Sequence, residues 1–337
     1  MSTPIPPHSA PPVLEVEELR TSLGSRRGRG NVVDGVSFSL SAGETLGIVG
    51  ESGSGKTMLG MSLLRLLPRA AQIVSGSIRL DGRDIVGCTV AEMRDIRGAE
   101  IALIPQDPMV SLDPLFRVGT QIAETLRAHK PVAAGQAMSE AVELLRRVNI
   151  PDPELRAQAY PFEMSGGMRQ RVVGAIGIAC TPKVLIADEP TTALDVTVQA
   201  QYLALLQRLQ RETGVALIVI THDFGVVAQI CDRVAVMYAG RIVEQAEVGR
   251  LFDAPAHPYS RALIEASAAM ANEGGGRRFP SIPGEPPPLF GRGEGCAFAP
   301  RCAFARDRCR REAPPQTSAG PAGHAVRCFY PLEGDAR

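Results

Sequence analysis

Residues 50–57 read GESGSGKT, which fits the pattern G-x-x-x-x-G-K-S/T. The octet stands between an apolar run, ETLGIVG (44–50), and an apolar-periodic stretch, TMLGMSLLRLL (57–67). Strand, glycine loop and helix in that order constrain the chain more than any other feature, and they predict an α/β fold. Gly50, Ser52, Gly53, Ser54 and Gly55 are small enough for backbone N–H groups to curl around phosphate oxygens at a helix N-terminus. Lys56 adds a point charge toward β/γ phosphates, and Thr57 adds a hydroxyl for Mg²⁺. The bland reading of the same octet is a Gly/Ser-rich turn before a core helix, which leaves both flanks unexplained.

A second apolar run, KVLIADEP (183–190), lacks period-2 alternation, as a parallel strand buried on both faces should. It ends in Asp188 and Glu189, where two adjacent acids are costly without a cation. The chemistry this suggests gives Asp188 to Mg²⁺ and leaves Glu189 to polarise a water; a solvated strand end is the alternative. VALIVITHD (215–223) reads as a further buried strand, ending in His222. A lone histidine is commonly a core or surface residue, but at that strand end His222 is a candidate contact to a transferred phosphate. YPFEMSGGMRQRV (160–172) adds a second helix N-terminus suited to an anion, with Ser165 as N-cap, then Gly166 and Gly167, and a helix running to about Cys180.

Composition narrows the classes. A length of 337 residues with 45% hydrophobic content predicts one large domain plus an appendage. Lys+Arg and Asp+Glu balance at 36 each, so no global positive field draws the chain to nucleic acid or an anionic membrane. The longest apolar runs, such as VALIVI (215–220), fall far short of the roughly 18 residues a spanning helix needs. The start, MSTPIPPHSAPP (1–12), reads as a disordered Pro-rich lead rather than a secretory signal, which points to the cytosol and disfavours disulfides.

These motifs, in this order, resemble the ATP-binding subunit of an ABC transporter over roughly residues 13–271. On that resemblance, residues 50–57 match the phosphate loop, and Gln106 in ALIPQDP matches the glutamine loop that also serves Mg²⁺. Ser165, Gly166 and Gly167 match the signature motif, and Asp188 with Glu189 the metal and base pair. TALD (192–195), ending in Asp195, matches the dimer-contact loop, and His222 the switch histidine. The resemblance implies two such domains facing head to tail, each ATP held between the phosphate loop of one and the signature of the other. That would explain two anion-binding turns in one chain.

The nearer likeness is to the dipeptide/oligopeptide import branch. PQDPMVSLDPLFRVGTQIAE (105–124), HPYSRAL (257–263) and SIPGEPPPL (281–289) resemble that branch's segments. The implied partners are a second ATP-binding subunit, two transmembrane permease subunits and, indirectly, an extracytoplasmic solute-binding protein, with no nucleic acid. The implied location is the cytoplasmic face of the cell membrane, as a peripheral subunit. Two departures stand out: Leu23 sits where the family carries an adenine-stacking aromatic, so that the adenine contact is either weaker or made by Val32 and Val33, and Pro105 stands where many relatives carry Phe.

Four of the seven cysteines, Cys296, Cys302, Cys309 and Cys328, are spaced C-x5-C-x6-C-x18-C. Structural zinc prefers closer pairs. Four thiolates with Arg301, Arg306, Arg308, Arg310 and Arg311 nearby would suit a 4Fe-4S cluster, which the resemblance to the peptide-import branch also implies. Four reduced thiols packing a small satellite fold is the other reading. Cys88, Cys180 and Cys231 read as small hydrophobes.

The domain expectation is therefore a lead (1–12), a nucleotide-binding domain (13–250) and a four-cysteine extension (251–337). The middle domain would hold a β-rich start, a parallel core sheet and a helical subdomain at about 112–165. The function expected is ATP hydrolysis that energises uptake of peptides or a related small solute. A soluble ABC-type ATPase acting on DNA or the ribosome is the alternative; it would need a coiled coil, a zinc insertion or a second nucleotide domain, and the chain shows none of these.

Overall fold

The computed structural model describes residues 11–26, 28–192, 194–271, 282–290, 293–320 and 323–333. Most of the expected N-terminal lead, residue 193 of the TALD segment and Ser281 lie outside the described residues. Two compact units make up the chain, the first from residues 1–41, 45–86 and 221–337, the second from 42–44 and 87–220.

In the first unit, strands Leu14–Ser25 and Gly28–Leu40 form an antiparallel hairpin in register Leu14↔Leu40 to Ser25↔Gly28. Ala71–Leu80 pairs antiparallel with the other edge of Leu14–Ser25, and Arg83–Asp84 extends it. A second set of strands starts from Thr45–Val49, every residue of which is buried. It pairs in parallel with Arg233–Tyr238, which turns through Ala239 (φ 50°) and Gly240 (φ 83°) into the antiparallel Arg241–Glu247. Two left-handed residues at a two-residue turn match the right-handed twist of the strands they join. The C-terminal segment completes this set: Ala325–Val326 pairs with Arg241–Glu247, and Thr317–Ser318 with Ala325–Val326. Its core joins Val49, Val234, Val236 and Tyr238 from the strands to Phe224, Leu251, Tyr259 and Phe298.

The helix after the glycine loop spans Lys56–Leu63, shorter than the 57–67 its apolar period predicts. Arg65 takes a left-handed turn (φ 51°) and donates from Nη1 to the Ile85 carbonyl at 3.1 Å, which ends the helix.

In the second unit, Ile101–Ile104, Val184–Asp188 and Ala216–Thr221 run parallel, in register Ile101↔Val184 and Val184↔Ala216. Both of the last two strands are buried throughout, which is why neither alternates in sequence. Helices Val118–His129, Ala134–Arg147 and Pro153–Ala157 lie inside the stretch read as helical. Ala134–Arg147 buries Ala137, Ala141, Leu144 and Leu145, one stripe at helical spacing. A Cβ on Gly119 would come within 2.8 Å of the Ala157 carbonyl, so glycine permits the close crossing there. Gly166–Ile178 and Val196–Thr213 complete the unit. No helix among the described residues is long and apolar enough to cross a membrane.

Candidate functional site

The buried strand Thr45–Val49 delivers the chain into residues 50–57. Gly50 (φ 156°) and Gly55 (φ 105°) admit no side chain: a Cβ would lie 2.2 Å from the Met237 carbonyl and 2.4 Å from that of Val32. The loop is thus pressed onto its own unit while Ser52 and Gly53 remain exposed. Lys56 is buried at 6% exposure and its Nζ donates to the carbonyls of Gly50 (2.7 Å) and Glu51 (3.0 Å). Gly240 donates its N–H to the Ser54 carbonyl at 2.8 Å, while Ser54 Oγ is buried with no hydrogen-bond partner among the described residues. A buried orphan hydroxyl beside a helix N-terminus fits a phosphate oxygen as partner. Thr57 is half-buried on the helix's first turn, and His222 is exposed just beyond Ala216–Thr221.

Three contacts to Glu51 carried little signal in the sequence. Tyr259 Oη accepts the Glu51 N–H at 2.8 Å, and Arg301 grips the Glu51 carboxylate through Nη1 (2.7 Å) and Nη2 (3.0 Å). The one available hint was the acid itself, since a carboxylate inside an anion-binding loop calls for a nearby cation.

In the second unit, Asp188 is the buried last residue of its strand, at 6% exposure. Glu189 follows in a left-handed conformation (φ 45°), and its N–H donates to the Ile220 carbonyl at 2.8 Å. A non-glycine residue held there stores about 1 kcal/mol or more of strain. Its carboxylate Oε2 accepts from Thr192 Oγ1 (2.8 Å) and from Gln106 Nε2 (3.4 Å), so the structure brings Gln106 to the expected base. Ser165 caps Gly166–Ile178 by accepting the Met168 N–H at 3.3 Å, and Asp195 caps Val196–Thr213 through the Val198 N–H at 3.0 Å. The two N-termini lie side by side: a Cβ on Gly167 would approach Val198 Cγ1 to 2.9 Å, whereas one on Gly166 would meet nothing within 4 Å. Of the valines named for base contact, Val33 is fully buried and Val32 half-buried.

The cysteines overturn the iron-sulfur expectation. Cys296, Cys302, Cys309 and Cys328 do line one small cavity, with His257, Phe298 and Phe329 on its walls. Yet no group of three or more His, Cys, Asp or Glu among the described residues is arranged to hold a metal ion. Burial pushes the Cys296 and Cys302 thiols up, and Cys328 up to about 11, which favours neutral thiols over the thiolates a cluster requires. Three of the five arginines read as charge balance are otherwise engaged: Arg306 stacks 4.1 Å from the Tyr330 ring, Arg308 stacks 4.0 Å from that of Phe329, and Arg301 holds Glu51. Cys296 and Cys302 pack against the Tyr238, Tyr259 and Phe298 core instead.

Residues 33–192 match the ABC transporter family model, and residues 243–309 match that of the oligopeptide/dipeptide transporter C-terminal region. The chain is 46% identical over 327 residues to the oligopeptide transport ATP-binding protein OppD of Salmonella typhimurium, spanning 97% of this chain and 96% of that one. This chain belongs to the ABC transporter ATP-binding proteins. The likeness is 49% over 318 residues to a probable peptide ABC transporter ATP-binding protein, y4tR, of Sinorhizobium fredii, covering 94% of both chains. Among solved structures, cbiO1 from Clostridium perfringens, part of the ABC transporter complex cbiONQ, superposes with a TM-score of 0.62 at 28% identity, covering 72% of this chain and 91% of that one. The ABC cassette so identified is an α/β P-loop ATPase, and its tail belongs to the oligopeptide/dipeptide transporter type.

Proposed function

We propose that the chain is the ATP-hydrolysing subunit of an ABC importer, energising uptake of di- or oligopeptides or a related small solute. The observation that carries this reading is similarity to peptide-transport ATP-binding proteins over nearly the whole length, tail included. In it, the backbone N–H groups of residues 50–57, the Ser54 hydroxyl and the Lys56 ammonium bind the triphosphate. Thr57, Asp188 and Gln106 would hold Mg²⁺, which supplies charge neutralisation on the β/γ oxygens. Glu189 accepts a proton as water attacks the γ-phosphorus, and His222 steadies the transferred phosphate. The products are ADP and inorganic phosphate.

Ser165, Gly166 and Gly167 act on the ATP of a second ATP-binding subunit, with Asp195 at the subunit contact. The exposure of Ser165 and Gly166 supports this, since a Cβ on Gly166 would meet nothing within 4 Å and the helix start is open to an anion there. Exposed apolar side chains at Met109 (59%), Val110 (84%), Leu115 (79%) and Phe116 (48%) support docking to the two permease subunits. The chain then works as a peripheral subunit on the cytoplasmic face of the membrane, with the solute-binding protein acting across it. The balance of 36 basic and 36 acidic residues gives nucleic-acid alternatives no support. Co-purifying the chain with its membrane complex and measuring ATPase stimulation by a peptide panel with the solute-binding protein tests the reading. Solute-dependent stimulation is expected, and a chain that recruits no permease refutes it.

A further inference from the structure

Glu51 is a carboxylate inside a loop built to receive a triphosphate. Its backbone is held as firmly as its side chain: the N–H goes to Tyr259 Oη (2.8 Å), and the carbonyl accepts from Lys56 Nζ (3.0 Å) and the Ser54 N–H (3.2 Å). Displacing Glu51 therefore removes one of the two loop carbonyls, those of Gly50 and Glu51, that hold the ammonium of Lys56. The side chain is clamped by Arg301, whose own side chain is only 4% exposed against 25% for that of Glu51.

Arg301 is a built-in fixture. It ends a 3-10 turn, Ala299–Arg301, and each guanidinium nitrogen is occupied. Nε donates to the Pro283 carbonyl (2.8 Å), Nη1 to Glu51 and to Tyr238 Oη (3.3 Å), and Nη2 to Glu51 and the Ile282 carbonyl (3.3 Å). Behind it, Tyr238, Tyr259 and Phe298 pack ring to ring at centroid distances of 4.6 to 5.3 Å. A planar fork on a carboxylate fixes both charge and direction, which a lysine at that position would not do.

We propose that Arg301 is a positioning residue of the ATP site: from the C-terminal extension it neutralises Glu51 and holds it back, keeping the phosphate loop and Lys56 set for the triphosphate. The extension is then a working part of the nucleotide site, and the cysteine-lined fold beside Arg301 is the platform that holds its guanidinium in place. This rests on the ATP reading above. Without Arg301, a carboxylate in the loop repels the incoming phosphates and is free to swing with the backbone that carries Lys56.

The test is a double-mutant cycle on the full chain, reading the affinity for mant-labelled ATP with Mg²⁺ by fluorescence. Arg301→Ala should weaken binding about tenfold, a coupling typical of residues in direct contact. In the Glu51→Gln background the same change should cost less than about twofold, because no carboxylate is left to restrain. A purely structural role would weaken binding equally in both backgrounds, and that result overturns the proposal. Should Arg301→Ala fail to fold, Arg301→Lys decides, with about threefold weaker binding expected beside the native Glu51 carboxylate and no weakening in the Glu51→Gln background. A wild-type chain that binds no mant-ATP would overturn the ATP reading itself, whereas wild-type binding with unchanged affinity in the Arg301 variants overturns this inference alone.

Discussion

Besides the pairing of strand Arg241–Glu247 with Ala325–Val326, the Glu244 side chain fastens that strand to the segments after it. Glu244 is buried at 1% exposure, and its carboxylate collects three donors. Oε1 takes the Ala256 N–H (2.6 Å) and His324 Nε2 (2.8 Å), and Oε2 takes the His257 N–H (2.8 Å). Glu244→Gln preserves shape but replaces one acceptor with a donor. The amide would keep its oxygen toward the two donors and set its NH₂ against the His257 N–H. One buried backbone donor is then orphaned, costing about 2 kcal/mol, or roughly thirtyfold faster hydrogen exchange through local opening. Glu244→Ala strands all three donors and should cost about 3–5 kcal/mol. Native-state hydrogen exchange at the amides of Ala256 and His257, alongside the thermal midpoint, measures both. Exchange in Glu244→Gln within about twofold of wild type would refute the claim that the carboxylate's two-sided acceptance anchors the extension.

Further outcomes follow from other groups. Glu189→Gln should bind ATP normally and lose about two to four orders of magnitude in turnover, the scale of general-base loss; single-turnover assays that retain more than about a tenth of wild-type rate would exclude the role. Ser165→Arg should block hydrolysis at the partner subunit's ATP in a reconstituted complex while ATP binding at Lys56 persists, and unchanged hydrolysis there would rule out a shared site. His257 is held neutral, its pKa lowered from 6.5 to about 4 by burial, against an opposing pull from Glu244. The unfolded chain therefore takes up the proton first, so the contribution of His257 is complete above pH 6.5 and falls away toward pH 4 by up to about 3 kcal/mol. His257→Gln should flatten that part of the stability profile, as urea titrations across the range would show.

The buried strands Thr45–Val49, Val184–Asp188 and Ala216–Thr221 were legible because continuous apolar runs ending in Gly50, Asp188–Glu189 and His222 have few other interpretations. Ser165 was legible as an N-cap because the capping preference is local, whereas the sequence marks Asp195 only as part of a dimer-contact loop and its capping of Val196–Thr213 comes from the structure. The short end of helix Lys56–Leu63 was not, since it depends on Arg65 reaching Ile85, a contact that periodicity does not encode. Nor was the grip of Arg301 on Glu51, which joins positions 250 residues apart. The cysteine reading failed for the same reason in reverse: spacing records how often thiols recur, while burial decides how readily they ionise, and here it pushes the thiols of Cys296, Cys302 and Cys328 up. The added strands Thr317–Ser318 and Ala325–Val326 are two residues each, too short for any alternation to register.

The central claim is that ATP turnover by this chain drives solute across a membrane. The direct measurement is ATP-dependent accumulation of a labelled peptide in proteoliposomes that contain the chain, its permease subunits and the solute-binding protein, with wild-type and Glu189→Gln chains compared. Uptake that requires ATP and disappears with Glu189→Gln is the predicted result. Uptake that proceeds equally with the Glu189→Gln chain would contradict the account.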